Sequence, residues 1–169
     1  MTAIVAVDQN WAIGKDGQLL FHISADLKRF KALTMGHPVI LGRKTLATFP
    51  KGRPLPGRAN LILTKNPAFR VPGMYRAQNP NRVYHSVAAL LRYAPADSVV
   101  IGGESVYRSL LDWCDRVYVT KIMSTVQGAD AFFPNLDADP HWCVAETEAP
   151  QEENGIRFQY VTYSKAVRK

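Results

Sequence analysis

Short runs of β-branched and apolar residues alternate with segments of helical periodicity along most of the chain. This alternation predicts parallel strands joined by crossover helices, because a parallel connection needs a long return path. No helical segment separates the last predicted strands, at 117–122, 142–147 and 156–163, which predicts antiparallel pairing there. We therefore expect one α/β domain over residues 1–169, with a mixed, mainly parallel sheet, flanking helices and an antiparallel C-terminal edge.

The other predicted elements follow from local patterns and turn residues. Predicted strands cover 3–7, 37–41, 60–64, 74–77, 82–84 and 98–101, and predicted helices cover 24–35, 86–94 and 104–112. Ser24 and Ser86 stand where an N-cap is expected, because a serine hydroxyl can accept a hydrogen bond from a free amide of the first turn. Gly14 and Gly17 are expected to bound a polar loop.

A long segment of the chain has no acidic residue. From Leu27 to Ala96 there is no aspartate or glutamate, whereas 13 of the 21 lysines and arginines lie there. A charge block of this size predicts that an anionic ligand binds the middle of the chain. The last carboxylate before the block is Asp26.

Several protein classes are excluded by simple patterns. The first residues lack the basic segment and apolar run of a secretion signal, and no segment approaches the roughly 20 apolar residues that a membrane span needs. We therefore expect a cytoplasmic protein with no membrane partner. Cys114 and Cys143 do not have the spacing of a metal site, so no metal is expected, and both are expected to be reduced and structural.

Asp26 is a candidate catalytic or ligand-binding residue. At about 100° per residue, its side chain falls within about 40° of Phe30 and about 20° of Leu33 on the predicted helix, and the preceding residues 19–21 are apolar. Burial among apolar side chains raises the pKa of a carboxyl group. Such a group suits proton delivery or the binding of an amidine-like ligand edge. Its position also allows a structural role, because an acid in the first turn stabilises the helix dipole.

Three polar or glycine-rich segments follow predicted strands. Residues 102–103 (Gly-Gly) precede a helix, where a ligand can approach the backbone and place phosphates at the helix N-terminus. Residues 42–45 (Gly-Arg-Lys-Thr) and 64–65 (Thr-Lys) end neighbouring strands, at the edge where α/β sheets bind ligands. The spacing at 42–45 is not that of a triphosphate-binding loop, and the dinucleotide fingerprint Gly-x-Gly-x-x-Gly does not occur.

Six motifs stand in a fixed order along the chain. They are residues 13–17 (Ile-Gly-Lys-Asp-Gly), 25–31 (Ala-Asp-Leu with Phe-Lys), 42–45, 53–60 (Arg-Pro-Leu-Pro-Gly-Arg-Ala-Asn), 101–107 (Ile-Gly-Gly with Tyr) and 118–120 (Tyr-Val-Thr). This ordered set resembles the bacterial dihydrofolate reductases over essentially the whole chain. The resemblance implies reduction of 7,8-dihydrofolate to tetrahydrofolate by NADPH, with hydride passing to pterin C6, binding of antifolate inhibitors, and a monomer.

The resemblance also implies the residues on the substrate side. Asp26 would pair with the amino-pyrimidine edge of the pterin and promote protonation at N5, and Thr120 would share its hydrogen-bond network. Leu19 and Phe21 would complete the catalytic set. Arg58 would bind the α-carboxylate of the folate glutamate, for which a guanidinium has bidentate geometry. The remaining implied residues on this side are Ile4, Val5, Leu27, Phe30, Thr48, Phe49, Leu55, Ile101 and Tyr107.

On the cofactor side, the resemblance implies a longer set of residues. Those expected at the nicotinamide and its ribose are Ala6, Ile13 and Gly14. Those expected around the pyrophosphate and adenosine are Gly42, Arg43, Lys44, Thr45, Leu63, Thr64, Lys65, His85, Gly102, Gly103, Glu104, Ser105 and Val106. The basic members would favour NADPH over NADH by binding the 2′-phosphate. The peptide between Gly102 and Gly103 is expected to be cis.

The chain departs from the family pattern at three places. Phe21 stands where the family usually has Trp, and it lacks the indole N–H that commonly holds a water near the pterin. The proton route and the affinity for antifolates are therefore expected to differ. Ser24 replaces a frequent Pro, and Ala129-Asp130-Ala131 replaces Gly-Asp-Thr, which leaves Asp130 as a loop partner.

Two alternatives remain at this level. One is the pyrimidine reductase of riboflavin synthesis, which has the same fold and also uses NADPH, but does not share the pattern around Asp26 or the segment around Arg58. The other is a basic nucleic-acid-binding module, suggested by the acid-free segment. Against it, the aromatic residues Phe30, Phe49, Phe69 and Tyr75 follow no recognised RNA-binding pattern.

Overall fold

The computed structural model describes residues 1–167 of the chain. Its strands are β1 (Thr2–Val7), β2 (Ala12–Lys15), β3 (Gln18–Leu19), β4 (Val39–Gly42), β5 (Asn60–Leu63), β6 (Arg82–Tyr84), β7 (Val99–Gly102), β8 (Arg116–Ile122), β9 (Ala131–Phe132), β10 (Trp142–Thr147), β11 (Gln151–Glu153) and β12 (Ile156–Lys165). Its α-helices are α1 (Ser24–Thr34), α2 (Arg43–Ala47), α3 (Val87–Tyr93) and α4 (Glu104–Leu110).

Within residues 1–167, the central sheet has nine strands, in the order β10-β12-β8-β1-β7-β4-β5-β6 with β11 beside β12. All pairs from β8 to β6 are parallel. Strand β12 is antiparallel to β8, β10 and β11. These pairings confirm the predicted α/β fold with a mainly parallel sheet and an antiparallel C-terminal edge.

The middle strands of this sheet are buried on both faces. Successive residues of a strand point to opposite faces, so Ile40 packs in one apolar cluster with Leu110 of α4, whereas Leu41 packs in another with Phe30 of α1. Helices α2 and α4 begin directly after β4 and β7. The carboxyl ends of the parallel strands and the N-termini of these helices therefore meet at one edge of the sheet.

The helix starts differ in how their free amides are bonded. The prediction for Ser86 is confirmed, because its Oγ accepts a hydrogen bond from the Ala89 amide at 3.1 Å. The prediction for Ser24 is wrong. Ser24 is itself the first helical residue, and the preceding Ile23 has no side-chain acceptor. Glu153 of β11 accepts from the first amides of α1 instead.

Two further local predictions differ from the structure. Residues 74–77 form turns rather than a strand, because the Met74 and Arg76 amides donate to the carbonyls of Val71 and Gly73 and are not available to a sheet. The polar loop predicted between Gly14 and Gly17 is shorter than expected, because Gly14 and Lys15 belong to β2 and only Asp16 and Gly17 form the turn before β3. Strands β2 and β3 form a small sheet with β9. Strands of four and two residues are too short for alternation to be recognised.

Two expectations from composition can be compared with the structure. No helix among residues 1–167 is long and apolar enough to cross a membrane. Both cysteines are free thiols, and Cys114 is buried. Cys143 is exposed on β10, and its thiol donates to the Ser164 carbonyl oxygen of β12 at 3.6 Å.

Candidate active site

Two adjoining cavities lie at the carboxyl edge of the sheet, and only the smaller is lined by residues of α1. The smaller, of about 50 Å³, is lined by Ala6, Ile13, Leu19, Leu20, Phe21, Ile23, Asp26, Leu27 and Ile122. The larger is a cleft of about 260 Å³, lined by Val5, Ala6, Ile13, Gly14, Lys15, Gly17, Gln18, Leu19, Lys44, Thr45, Thr48, Ile101, Gly102, Gly103, Glu104, Tyr107, Asp130 and Ala131. Ala6, Ile13 and Leu19 line both, so the two spaces are neighbours.

Asp26 is the only acidic residue among those that line the smaller cavity. Burial raises the pKa of its carboxyl group, and the Thr120 hydrogen bond and the Arg29 charge oppose this effect. Phe21 and Leu27 lie on the wall of the same cavity. The predicted environment, a carboxyl group among apolar side chains, is confirmed by this geometry.

Thr120 holds the Asp26 carboxyl group. Its Oγ1 donates a hydrogen bond to Asp26 Oδ1 at 2.6 Å. Thr120 lies in the middle of β8, where it is opposite Ala6 of β1 and Tyr160 of β12. Because β8 is paired on both sides, the hydroxyl is fixed by the sheet and the carboxyl group is fixed by the hydroxyl.

The Gly102–Gly103 corner forms the floor of the cleft, and its peptide bond is cis, as expected. A Cβ atom on Gly102 would lie 3.2 Å from the Tyr107 ring. A Cβ atom on Gly103 would lie 3.2 Å from Thr45 Oγ1. Larger residues at this corner would therefore fill the space beside the N-terminus of α4.

Tyr107 connects α4 to β1. The ring is buried against Phe133 and Gly102, and its hydroxyl donates to the Ile4 carbonyl oxygen at 2.6 Å. Burial raises the pKa of the phenol, with smaller contributions of the same sign from Cys114 and Asp26. The Ile4 carbonyl, which the resemblance implies as a pterin contact, therefore already accepts one hydrogen bond from the protein.

The loop between β2 and β3 closes over the cleft through Asp130. The Asp130 amide donates to the Gly14 carbonyl oxygen at 3.0 Å, and the Asp16 amide donates to Asp130 Oδ2 at 3.0 Å. This confirms Asp130 as a loop partner. The same arrangement brings Lys15, Gly17 and residues near Asp130 to the cleft wall.

Several residues implied by the resemblance lie outside the walls of both cavities. They are Ile4, Phe30, Gly42, Arg43, Phe49, Leu55, Arg58, Leu63, Thr64, Lys65, His85, Ser105, Val106 and Thr120. Arg43 and Lys65 are exposed, whereas Val106 is buried. Every other implied residue lines one or both cavities.

Two of the outlying residues are held by the protein itself. Arg58 is buried and donates from Nη1 to Thr34 Oγ1 and from Nε to the Pro56 carbonyl oxygen, both at 3.0 Å. Burial lowers the pKa of this guanidinium. His85 Nδ1 lies 3.0 Å from the Thr64 carbonyl oxygen. The side chains of Arg58 and His85 are thus oriented before any ligand binds.

Glu104, implied on the cofactor side, has a carboxyl group with two protein partners. It accepts a hydrogen bond from the Phe132 amide at 2.9 Å, and Arg108 Nη2 lies 3.5 Å from the same oxygen. This arrangement ties α4 to β9. The opposite charge of Arg108 compensates a carboxylate that lies beside the cleft.

Sequence reasoning missed part of both walls. The cleft residues that it did not assign to a site are Lys15, Gly17, Gln18, Asp130 and Ala131, and those of the smaller cavity are Leu20, Ile23 and Ile122. The motif at residues 13–17 is the signal that points to the first of these groups. Ile122 carries no such signal, because only the sheet pairing brings it opposite α1.

Comparison with known families matches residues 1–165 to the family Dihydrofolate reductase. Dihydrofolate reductase of Bacillus subtilis (strain 168) is 35% identical over 164 residues, which cover 96% of this chain and 92% of that protein. Dihydrofolate reductase of Neisseria meningitidis serogroup B is 35% identical over 165 residues, 96% of each.

Among solved structures, this chain is similar to dihydrofolate reductase from Enterococcus faecalis complexed with NADP(H) and RAB-propyl. The TM-score is 0.79 at 36% sequence identity, and the match covers 97% of this chain and 95% of that one. The family match, the relatives and the shared fold all point to one family. The chain belongs to the dihydrofolate reductase family.

Proposed function

We propose that Asp26 is the carboxyl group through which this enzyme binds the pterin ring and promotes protonation at N5. The chain is a dihydrofolate reductase, which reduces 7,8-dihydrofolate to tetrahydrofolate with NADPH. The observation that carries the proposal is the Asp26–Thr120 hydrogen bond of 2.6 Å at the wall of an apolar cavity. No other acidic side chain lines that cavity.

The surroundings of Asp26 suit this role. A carboxylate can accept two N–H groups from an amino-pyrimidine edge, and such charge-assisted hydrogen bonds are strong. Burial of Asp26, which raises its pKa, keeps the proton affinity of the site high. The apolar side chains of Leu19, Phe21 and Leu27 line the same cavity, and an apolar wall strengthens the effect of a nearby charge on N5.

The cleft fits NADPH. Gly102 and Gly103 line the cleft, and because they carry no side chain a ligand can approach the backbone there. Lys44 and Thr45 line the cleft at the start of α2, where amides and positive charge suit a phosphate. NADPH supplies the hydride that passes to C6 of the pterin. Val5, Ala6, Ile13 and Gly14 would bound the nicotinamide end.

The remaining contacts are proposals of the same kind. Arg58, held by Thr34 and Pro56, would bind the glutamate carboxylate of folate. Arg43, Thr64 and Lys65 would bind the adenosine 2′-phosphate, with His85 beside them. The other residues proposed for substrate or cofactor contact are Ile4, Phe30, Gly42, Leu55, Thr48, Phe49, Leu63, Ile101, Glu104, Ser105, Val106 and Tyr107.

We also propose a single domain over residues 1–169 that acts as a cytoplasmic monomer and binds antifolate inhibitors. The strands of the central sheet come from both ends of the described chain, which supports one domain. Free thiols at Cys114 and Cys143 fit a reducing compartment. No observation favours the riboflavin pyrimidine reductase or the nucleic-acid module over this function.

The proposed role of Asp26 is tested by following the loss of NADPH absorbance with dihydrofolate for wild type and Asp26→Asn. We expect kcat at pH 7 to fall by about 100-fold or more, which is the usual contribution of acid–base groups. Activity should recover partly at low pH, where solvent protonates the substrate. Asp112→Asn, an exposed acid outside both cavities, is the control. Near wild-type turnover of Asp26→Asn at pH 7 would refute the role.

A further inference from the structure

The N-terminus of α1 is capped by a side chain from a distant hairpin. The Ser24 amide donates to Glu153 Oε2 at 2.6 Å, and the Ala25 amide donates to Glu153 Oε1 at 3.1 Å. Both oxygens of one carboxylate are therefore bonded to the first two amides of the helix that carries Asp26. The local sequence supplies no side-chain cap, because Ile23 stands at the N-cap position.

The hairpin that carries Glu153 is part of the sheet that carries Thr120. Glu153 is opposite Ile156 at the start of β12, and Tyr160 of the same strand is opposite Thr120 of β8. Helix α1 is thus tied to one continuous piece of sheet at two points, by Glu153 at its first amides and by Thr120 at Asp26. Movement of the helix relative to β8 would break both contacts.

A third contact strengthens the same connection. Arg29 of α1 lies 3.1 Å from Glu148 Oε1, and its guanidinium stacks over the Tyr160 ring at 3.8 Å from the centroid. Gln159 Nε2 donates to the Glu148 carbonyl oxygen at 2.8 Å, which fixes the segment between β10 and β11. The helix therefore lies against an anchored segment that carries Glu148, next to the strand that carries Glu153.

The charges near Asp26 have opposing effects on its carboxylate. Arg29 and the positive end of the α1 dipole both favour the charged form. The carboxylate of Glu153 accepts hydrogen bonds from the first two amides of the helix, and its negative charge offsets the positive end of the helix dipole. The titratable and charged side chains that interact with Asp26 directly are Arg29, Tyr107 and Tyr160. Tyr160 in turn lies in the field of Glu148 and Glu153.

We propose that Glu153 is a positioning residue of this reductase: it fixes the first turn of α1 against the sheet and offsets the positive end of the helix dipole beside Asp26. The proposal rests on the proposed role of Asp26. Glu153 itself acts only through the helix, so its removal should change the titration of Asp26 and leave the walls of both cavities in place.

The direct test is the ¹³C NMR titration of the Asp26 carboxyl carbon in the ligand-free protein, assigned by its absence in Asp26→Asn. Glu153→Gln removes the charge and keeps one acceptor. We expect the pKa of Asp26 to fall by about half a unit, because the positive end of the helix dipole is no longer offset and favours the carboxylate. Glu152→Gln is the matched control, since this exposed residue has the same charge on the same strand. It should leave the titration unchanged.

The second measurement is the pH dependence of hydride transfer. With a lower pKa at Asp26, the decline of the rate with rising pH should move to lower pH in Glu153→Gln and stay in place in Glu152→Gln. Equal titrations for the two variants would overturn the inference about Glu153. If Asp26→Asn itself left the pH profile unchanged, the role of Asp26 would fail instead, so the two failures are distinguishable.

Discussion

The hydroxyl of Thr120 and the carboxyl group of Asp26, 94 positions apart in the chain, are joined by a hydrogen bond of 2.6 Å. Thr120 is only 4% exposed, so little water competes for this contact. Burial raises the pKa of Asp26, and the Thr120 hydrogen bond partly opposes the effect. The balance between these two effects sets the proton affinity of the site.

Replacing Thr120 by Val should therefore raise the pKa of Asp26 further, because the carboxylate loses a donor while its burial remains. The decline of hydride-transfer rate with pH should move to higher pH. Loss of the buried hydrogen bond should also lower the free energy of unfolding by about 1 kcal/mol. Thr120→Ser keeps the hydroxyl and is the control in both a pH profile and a urea titration. The expectation fails if the Ser and Val variants have the same pH profile.

Asp26→Asn should be more stable than wild type at pH 7. A carboxyl group whose pKa is raised on folding binds more protons in the folded state, so the free energy of unfolding falls as pH rises from the unfolded pKa through the folded pKa. The Asn variant does not titrate and avoids this loss. Urea unfolding at pH 7 and at about pH 3 measures the difference, which should vanish at the lower pH. A variant less stable than wild type at pH 7 would contradict the prediction.

Arg43 and Lys65 should determine the preference for NADPH over NADH. Hydrogen bonds to charged groups contribute about 1.5 to 3 kcal/mol each, so replacing both by Ala should raise KM for NADPH by about tenfold or more and change KM for NADH much less. Steady-state assays with the two cofactors measure this. The matched control replaces Lys28 and Arg92, which are also exposed and lie in the same acid-free segment. An unchanged ratio in the first variant would show that the 2′-phosphate binds elsewhere.

Gly102→Ala should destabilise the fold and weaken NADPH binding. Gly102 has a φ of +122°, a backbone angle that residues with a side chain rarely adopt, and the new Cβ atom would lie 3.2 Å from the buried Tyr107 ring. Gly36→Ala measures the cost of a positive φ without a steric contact, because Gly36 has a φ of +80° and no atom within 4 Å of its Cβ position. We expect the Gly36 variant to lose about 1 kcal/mol and the Gly102 variant about 2 kcal/mol or more in urea unfolding. Equal losses would contradict a packing role for Tyr107.

Much of the fold could be predicted from local patterns. The strand at 142–147 was predicted with the bounds that the structure has. The parallel pairing of the central strands was predicted from the helical segments between them. The predictions that failed concern segments that are short or irregular. Strands β2 and β3 have too few residues for a period, and the turns at 74–77 satisfy their amides locally despite strand-like composition.

The candidate site was predicted unevenly. Asp26 is recognisable as an acid on an apolar helix face, and Gly102 and Gly103 are recognisable as a ligand-binding corner. Each of these two signals is confined to a few neighbouring residues. Ile122 on the wall of the smaller cavity and Glu153 on the helix amides are not recognisable in this way. Ser24 even suggests a local cap that the structure does not use.

The sequence by itself determined the α/β class, the acid-free basic segment and Asp26 as the last carboxylate before it, because each depends on composition and on spacings within one element. Only the tertiary structure decided which groups act on that carboxylate. Thr120 and Glu153 are 94 and about 130 positions away from the groups that they bind. Contacts over such separations depend on the order and register of the strands, and neither can be predicted from the periodicity within one element.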